Sequence, residues 1–86
     1  MYLEIITPDK RVFEGEVDSA TFPGTDGYFQ ILNNHAALIS TLGKGPISYK
    51  SKKFDERIEV NRGVVEVLNN RVIALVESLV DSEDED

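Results

Sequence analysis

Turn chemistry interrupts this chain too often for helices to form. Pro8-Asp9, Gly24-Thr25-Asp26-Gly27, Asn33-Asn34, the Gly43 to Pro46 segment and Asn69-Asn70 separate short runs rich in β-branched and aromatic residues. No amphipathic stretch of ordinary helix length fits between them. Short strands with turn residues every eight to twelve positions predict an all-β sandwich or barrel. At 86 residues the chain has room for one domain with a single two-layer core.

Taken in order, residues 2–7 read as a strand that Pro8-Asp9 ends. Residues 11–14 read as a second, with Gly15 marking a bend or bulge. Over residues 16–22 the chain alternates Val17, Ser19 and Thr21 against Asp18, Ala20 and Phe22. Neither set is apolar throughout, so the pattern leaves the buried side open. Residues 28–32 form a strand between the Gly24 to Gly27 turn and the Asn33-Asn34 turn. Residues 36–42 suit either a strand or a turn of helix followed by a strand. A loop over 43–46 leads to strands over 47–50 and 54–60, joined near Lys50, Lys52 and Lys53. The clearest hairpin spans 64–76, because Asn69-Asn70 tolerates the positive φ of a two-residue type I′ turn. Val72 to Val76 lacks polar alternation, which predicts a strand central to its sheet or covered on both faces. Domain boundaries follow: a β domain over 1–77 and an acidic tail over 78–86, with 78–80 a possible extension of the last strand and 81–86 expected to be disordered.

The net charge of −7 is concentrated in that tail. Five of the sixteen acidic residues fall within 81–86, so nine basic residues face eleven acidic ones elsewhere, a net of −2. Nothing demands the basic face that nucleic-acid binding requires, and the lysines near position 52 read as a solvated hairpin end. There is no cysteine, which excludes disulfides, thiolate metal sites and a cysteine nucleophile. No basic, apolar leader pattern opens the chain, and no apolar run approaches bilayer length.

Chemistry has few footholds here. His35 is the only histidine, and pairing it with Ser40 or Ser48 and with Asp26 finds no supporting spacing. It is expected to brace the Asn33-Asn34 turn. One histidine without a paired carboxylate cluster is a poor metal ligand set. The Gly24-x-x-Gly27 pair is not a phosphate loop, since no Lys-Ser/Thr and no helix follow. Tyr28 and Phe29 divide, by strand alternation, into one core and one surface aromatic. No catalytic residue, cofactor or metal site is expected, and the run from Gly24 to His35 is the candidate interaction edge.

Four motifs in register extend this reading: Leu3-Glu-Ile-Ile-Thr-Pro with Phe13-Glu-Gly15, then Phe22-Pro-Gly-Thr-Asp-Gly, then Ile31-Leu-Asn-Asn-His-Ala-Ala-Leu, and Gly63-Val-Val-Glu-Val. Together they resemble the N-terminal domain of the epsilon subunit of rotary, F-type ATP synthase. The resemblance implies a flattened sandwich of two sheets, with about ten short, mostly antiparallel strands. It also implies a non-catalytic rotor subunit of the central stalk, coupling proton-driven c-ring rotation to gamma and ATP synthesis. By matching position, Asp26, Gly27 and Tyr28 would face the c-ring, with Asn33 and Asn34 nearby. Thr7, His35, Ala36, Leu38 and Ser40 would form a strip facing gamma, and Leu38→Asp is expected to weaken gamma binding without unfolding the domain. Membrane contact would be indirect, through the c-ring, on the cytoplasmic face of a bacterial inner membrane. The chain departs from the family pattern at Asn33 and Ala37, where proline is usual, at Arg62-Gly63 in place of a glycine pair, and at Tyr28, where an acid can stand. The helical hairpin that follows this domain in many relatives is not in the sequence, so neither rotational restraint by those helices nor nucleotide binding is expected. The alternative is a free-standing adaptor that binds another protein through the edge from Gly24 to His35.

Overall fold

The computed structural model describes residues 1–80. It is all-β, with nine strands and no helix among the described residues: β1 (Tyr2–Ile6), β2 (Arg11–Glu16), β3 (Ser19–Gly24), β4 (Gly27–Leu32), β5 (Leu38–Leu42), β6 (Gly45–Lys50), β7 (Asp55–Val60), β8 (Gly63–Leu68) and β9 (Arg71–Val76). The hydrogen-bonded order is β2-β1-β9-β8-β5-β3-β6-β7, with β4 on the other side of β3. Between β5 and β3 the ladder narrows to one residue pair, Gly24 with Leu42. At that corner Gly43 N–H donates to Pro23 O at 2.8 Å and Thr25 N–H to Thr41 O at 3.2 Å. The path therefore curls into two layers: β2-β1-β9-β8-β5, and β4-β3-β6-β7.

All pairings are antiparallel except β1 with β9, the first and last strands. That parallel pair puts β9 between β1 and β8, the central position expected for it. Asn69 and Asn70 take φ of 53° and 63°, the left-handed pair that a type I′ hairpin requires.

The core forms where inward alternation from both layers meets. Leu3, Ile5, Val65, Val67, Val72 and Ala74 from the first layer face Ala20, Phe22, Ile31, Ile47 and Val60 from the second, all nearly sealed from water. Aromatic rings bridge the layers: Phe13 on β2 lies 4.4 Å, centroid to centroid, from Tyr49 on β6 and 5.9 Å from Phe54. In the second layer Phe29 stacks on Phe22 at 5.7 Å, which resolves the aromatic pair: Phe29 inward, Tyr28 outward at 63% exposure.

Several local expectations change. Gly15 is not a bulge; β2 runs through it to Glu16, and a Cβ there would lie 3.3 Å from the Phe13 ring that covers it. The bulge sits at Val12, where Ile5 pairs Phe13 and Ile6 pairs Arg11. The strand expected over 16–22 breaks at Val17-Asp18, where the chain crosses between layers. Ala20 and Phe22 then form its core side. The expected 43–46 loop is shorter, because Gly45 and Pro46 already belong to β6. Residues 36–42 resolve as strand from Leu38 onward, with no helical turn. Residues 78–80 do not extend β9. Leu79 bridges Val60, and Val80 N–H donates to Glu59 O at 2.9 Å. The remainder of the expected tail, 81–86, lies outside the described residues.

Candidate interaction surfaces

Successive strands run alternately between the two ends of the sandwich, and this separates residues that are close in sequence. Asp26, Gly27 and Tyr28 sit at the β3–β4 turn. Asn33 and Asn34 sit at the far end of β4. Six extended residues span about 20 Å, so the two groups do not form one loop cluster. Gly27 carries φ of +128°, a conformation that favours glycine, and its turn stands open to solvent.

The Asn33-Asn34 turn is instead tied to the other asparagine turn. Asn34 (φ 64°) donates its N–H to Asn70 Oδ1 at 2.8 Å. Asn33 Oδ1 accepts from the Met1 α-amino group at 2.5 Å, which also donates to Val17 O at 3.0 Å. These bonds join the layers at one end. His35 does not brace this turn: its Nδ1 lies 2.8 Å from the adjacent Ala36 carbonyl oxygen, and the side chain is exposed. His35 and Asp26 lie at opposite ends, so no Ser-His-Asp arrangement forms. Among the described residues no group of three potential metal ligands occurs.

The strip assigned to gamma also divides. Thr7 is 8% exposed and occupied with its own turn, its Oγ1 accepting from Lys10 N–H at 3.1 Å and Asp9 N–H at 3.2 Å. It lies at the end of the sandwich away from His35 and Ala36. Leu38 and Ser40 pair with Val67 and Val65, both buried, and share their inward face. Leu38 packs against the core, so the expectation that Leu38→Asp spares the fold is corrected. Alternation puts Ile39 and Thr41, one residue along, on the outside.

Ile39 begins an apolar patch on the outer face of the first layer. Register places Ile6, Leu75, Val64 and Thr41 in one outward row, and Glu4, Ile73, Glu66 and Ile39 in the next. Ile39 is 72% exposed and Leu75 49%, with Ile6, Ile73 and Val64 half-buried beside them. Sequence reasoning missed this face because Val72 to Val76, read as central to its sheet or covered on both faces, was given no outward side. The available signal was the parity of Ile73 and Leu75 against the core residues Val72, Ala74 and Val76.

Toward β2 the same face turns charged. Glu4, almost buried, lies 3.3 Å from Arg11 and 3.5 Å from Arg71, and Arg11 also reaches Glu14 at 3.3 Å. The Arg71 guanidinium lies 5.0 Å from the Tyr2 ring centroid. The Tyr2 hydroxyl donates to the Glu14 carboxylate, and this bond, with lesser help from desolvation, raises the phenol pKa above its ordinary value. The middle of the other layer's outer face is polar, with Thr21, Gln30, Ser48 and Lys50 lining a shallow trough, while Tyr28 and Leu32 stand exposed along the β4 edge.

A family model described as "ATP synthase, Delta/Epsilon chain, beta-sandwich domain" matches residues 1–82. An ATP synthase epsilon chain from Nitratiruptor sp. is 46% identical over 81 residues, 91% of this chain and 61% of the relative. One from Chlorobium limicola is 40% identical over 78 residues, 90% of this chain and 89% of the relative. The chain thus spans about three fifths of the length of several curated relatives it matches. A chain in the cryo-EM structure of the Tetrahymena thermophila mitochondrial ATP synthase central stalk and c-ring superposes with a TM-score of 0.80 at 23% identity, over 98% of this chain and 68% of that one; it bears on the fold alone. The protein therefore belongs to the β-sandwich domain family of ATP synthase delta/epsilon chains.

Proposed function

We propose that this chain is a non-catalytic subunit of the ATP synthase central stalk, passing c-ring rotation to gamma. The observation that carries the reading is the exposed apolar face around Ile39 and Leu75, set on a close-packed two-layer body. A piece that transmits torque must resist deformation, and a densely packed core is stiff. Gamma would cover the outward face of β5, β8 and β9, with Ile39, Val64, Ile73 and Leu75 as its apolar centre. His35 and Ala36 lie at the margin, and the inward Leu38 and Ser40 support it from behind. The c-ring would meet one end of the sandwich, at the polar Asp26-Gly27-Tyr28 turn. Asn33 and Asn34, at the other end, hold the layers together. In this reading the protein is peripheral, on the cytoplasmic face of a bacterial membrane.

The test is co-purification with gamma. Wild type is expected to retain gamma and Ile39→Asp to lose it while keeping its β circular dichroism. A wild-type chain that ignores gamma would overturn the function, and retention by Ile39→Asp would overturn the assigned face.

A further inference from the structure

A sandwich exposes strand edges, and an unprotected edge is a template for another strand. Two edges here carry protection. The outer edge of β2 bears Arg11, Glu14 and Glu16 and contains the Val12 bulge. That of β7 bears Asp55, Glu56, Arg57 and Glu59, and the Leu79 bridge covers its end. On β5, Thr25 N–H occupies Thr41 O, which leaves the Thr41 N–H and the backbone groups of Ile39 facing out along that short edge.

The fourth edge, β4, has none of these devices. Its sequence Gly-Tyr-Phe-Gln-Ile-Leu is uncharged, contains no proline, and pairs with β3 in unbroken register. Gly24 and Gly27 close a two-residue turn and so form a hydrogen-bonded pair. Alternation from that pair points the N–H and C=O groups of Phe29 and Ile31 at β3, and those of Tyr28, Gln30 and Leu32 away from it. No backbone partner for these six outward groups occurs among the described residues.

We propose that this edge is a self-association site, where a second copy of the chain pairs antiparallel about a two-fold axis through Gln30. In that register Gln30 meets Gln30 of the second copy, and Tyr28 meets Leu32. All six outward groups on each copy then find partners. Side chains agree as well. Tyr28 (63% exposed) packs against Leu32 (52% exposed) on the outer face, and the inward Phe29 meets Ile31. Beyond the strand Asp26 falls opposite Asn34, so no like charges confront each other. A register offset by one residue would set inward side chains against outward ones, which disfavours it. The contact is one short strand per copy, so the dimer is weak and concentration-dependent.

Sedimentation across a wide concentration range tests this. The wild-type chain is expected to show a reversible monomer–dimer equilibrium. Gln30→Lys, on an exposed site, is expected to lose the dimer while keeping the same circular dichroism, because two lysines would then meet on the axis. Register is read with single cysteines in this cysteine-free chain. Under mild oxidation Gln30→Cys is expected to cross-link to itself, Tyr28→Cys to cross-link preferentially with Leu32→Cys, and Arg57→Cys on the protected β7 edge to remain uncoupled. A wild-type chain monomeric at every concentration, a dimer that survives Gln30→Lys, or Arg57→Cys cross-linking as readily as Gln30→Cys would overturn the proposal.

Discussion

The two layers share one interior and present opposite exteriors. Outward from β5, β8 and β9 stand Ile39, Val64, Ile73 and Leu75, with the exposed Glu66 between Ile39 and Ile73. Outward from β3 and β6 stand Thr21, Ser48 and Lys50, and on the edge strand β4 the exposed Tyr28 and Leu32 flank Gln30. Both sets sit on strands whose inward residues are equally well buried, so packing does not explain the contrast. Surface apolar residues scattered singly need no explanation, but several on one face of a small domain mark a candidate interaction site. The difference teaches that burial fixes the inside of this domain, while each outside takes its own chemistry.

Seven substitutions test how far that division holds. The largest effect is expected in the shared interior. Leu3→Ala in one layer and Phe22→Ala in the other should each cost about 3–5 kcal/mol in urea unfolding, with a single transition in both cases. Two separate transitions would break the claim of one core. Next comes the pair Leu38→Asp and Ile39→Asp, neighbours on opposite faces of β5. The first places a charge against the core and should destabilise by about 3 kcal/mol or more, whereas the second should stay within about 0.5 kcal/mol of wild type. Ser48→Asp, on the polar exterior, should leave gamma co-purification intact, in contrast to Ile39→Asp.

A smaller effect is expected at the joint between layers. Asn70→Gly keeps the φ of 63° accessible but removes the oxygen that accepts from Asn34 N–H. Thermal unfolding should register a loss of about 1 kcal/mol. The smallest effect is a pH dependence at Tyr49, whose phenol pKa is raised above its ordinary value first by burial and then by Glu56. A raised acid pKa favours the neutral phenol in the folded state. Its contribution is therefore complete below the unfolded value near 10 and lost as pH rises through the folded value. Tyr49→Phe should make the stability profile flatter above pH 10 than that of wild type, and identical slopes would refute the assignment.

Much of this was legible in the chain. The Asn69-Asn70 hairpin, the two-residue turn between Gly24 and Gly27 and the central place of β9 follow from turn chemistry and composition, because those constraints act over a few residues. The side that each strand buries was less legible. Around Val17 to Phe22 the alternation is ambiguous until Ala20 and Phe22 find Tyr49 and Phe29 across and along the sheet. Leu38 and Ile39 illustrate the same limit: both are apolar, and only the register of β5 against β8 decides which points outward.

The sequence by itself determined an all-β chain of short strands, since the spacing of turn residues and β propensity are local properties. Tertiary structure alone decided that the first and last strands pair in parallel, that Asn33 and Asn34 stand about a strand's length from Asp26, and that Ile39, Ile73 and Leu75 converge on one face. Those relations join residues far apart in the chain. They are fixed by burying two apolar faces against each other, and no local pattern records which strand will lie beside which.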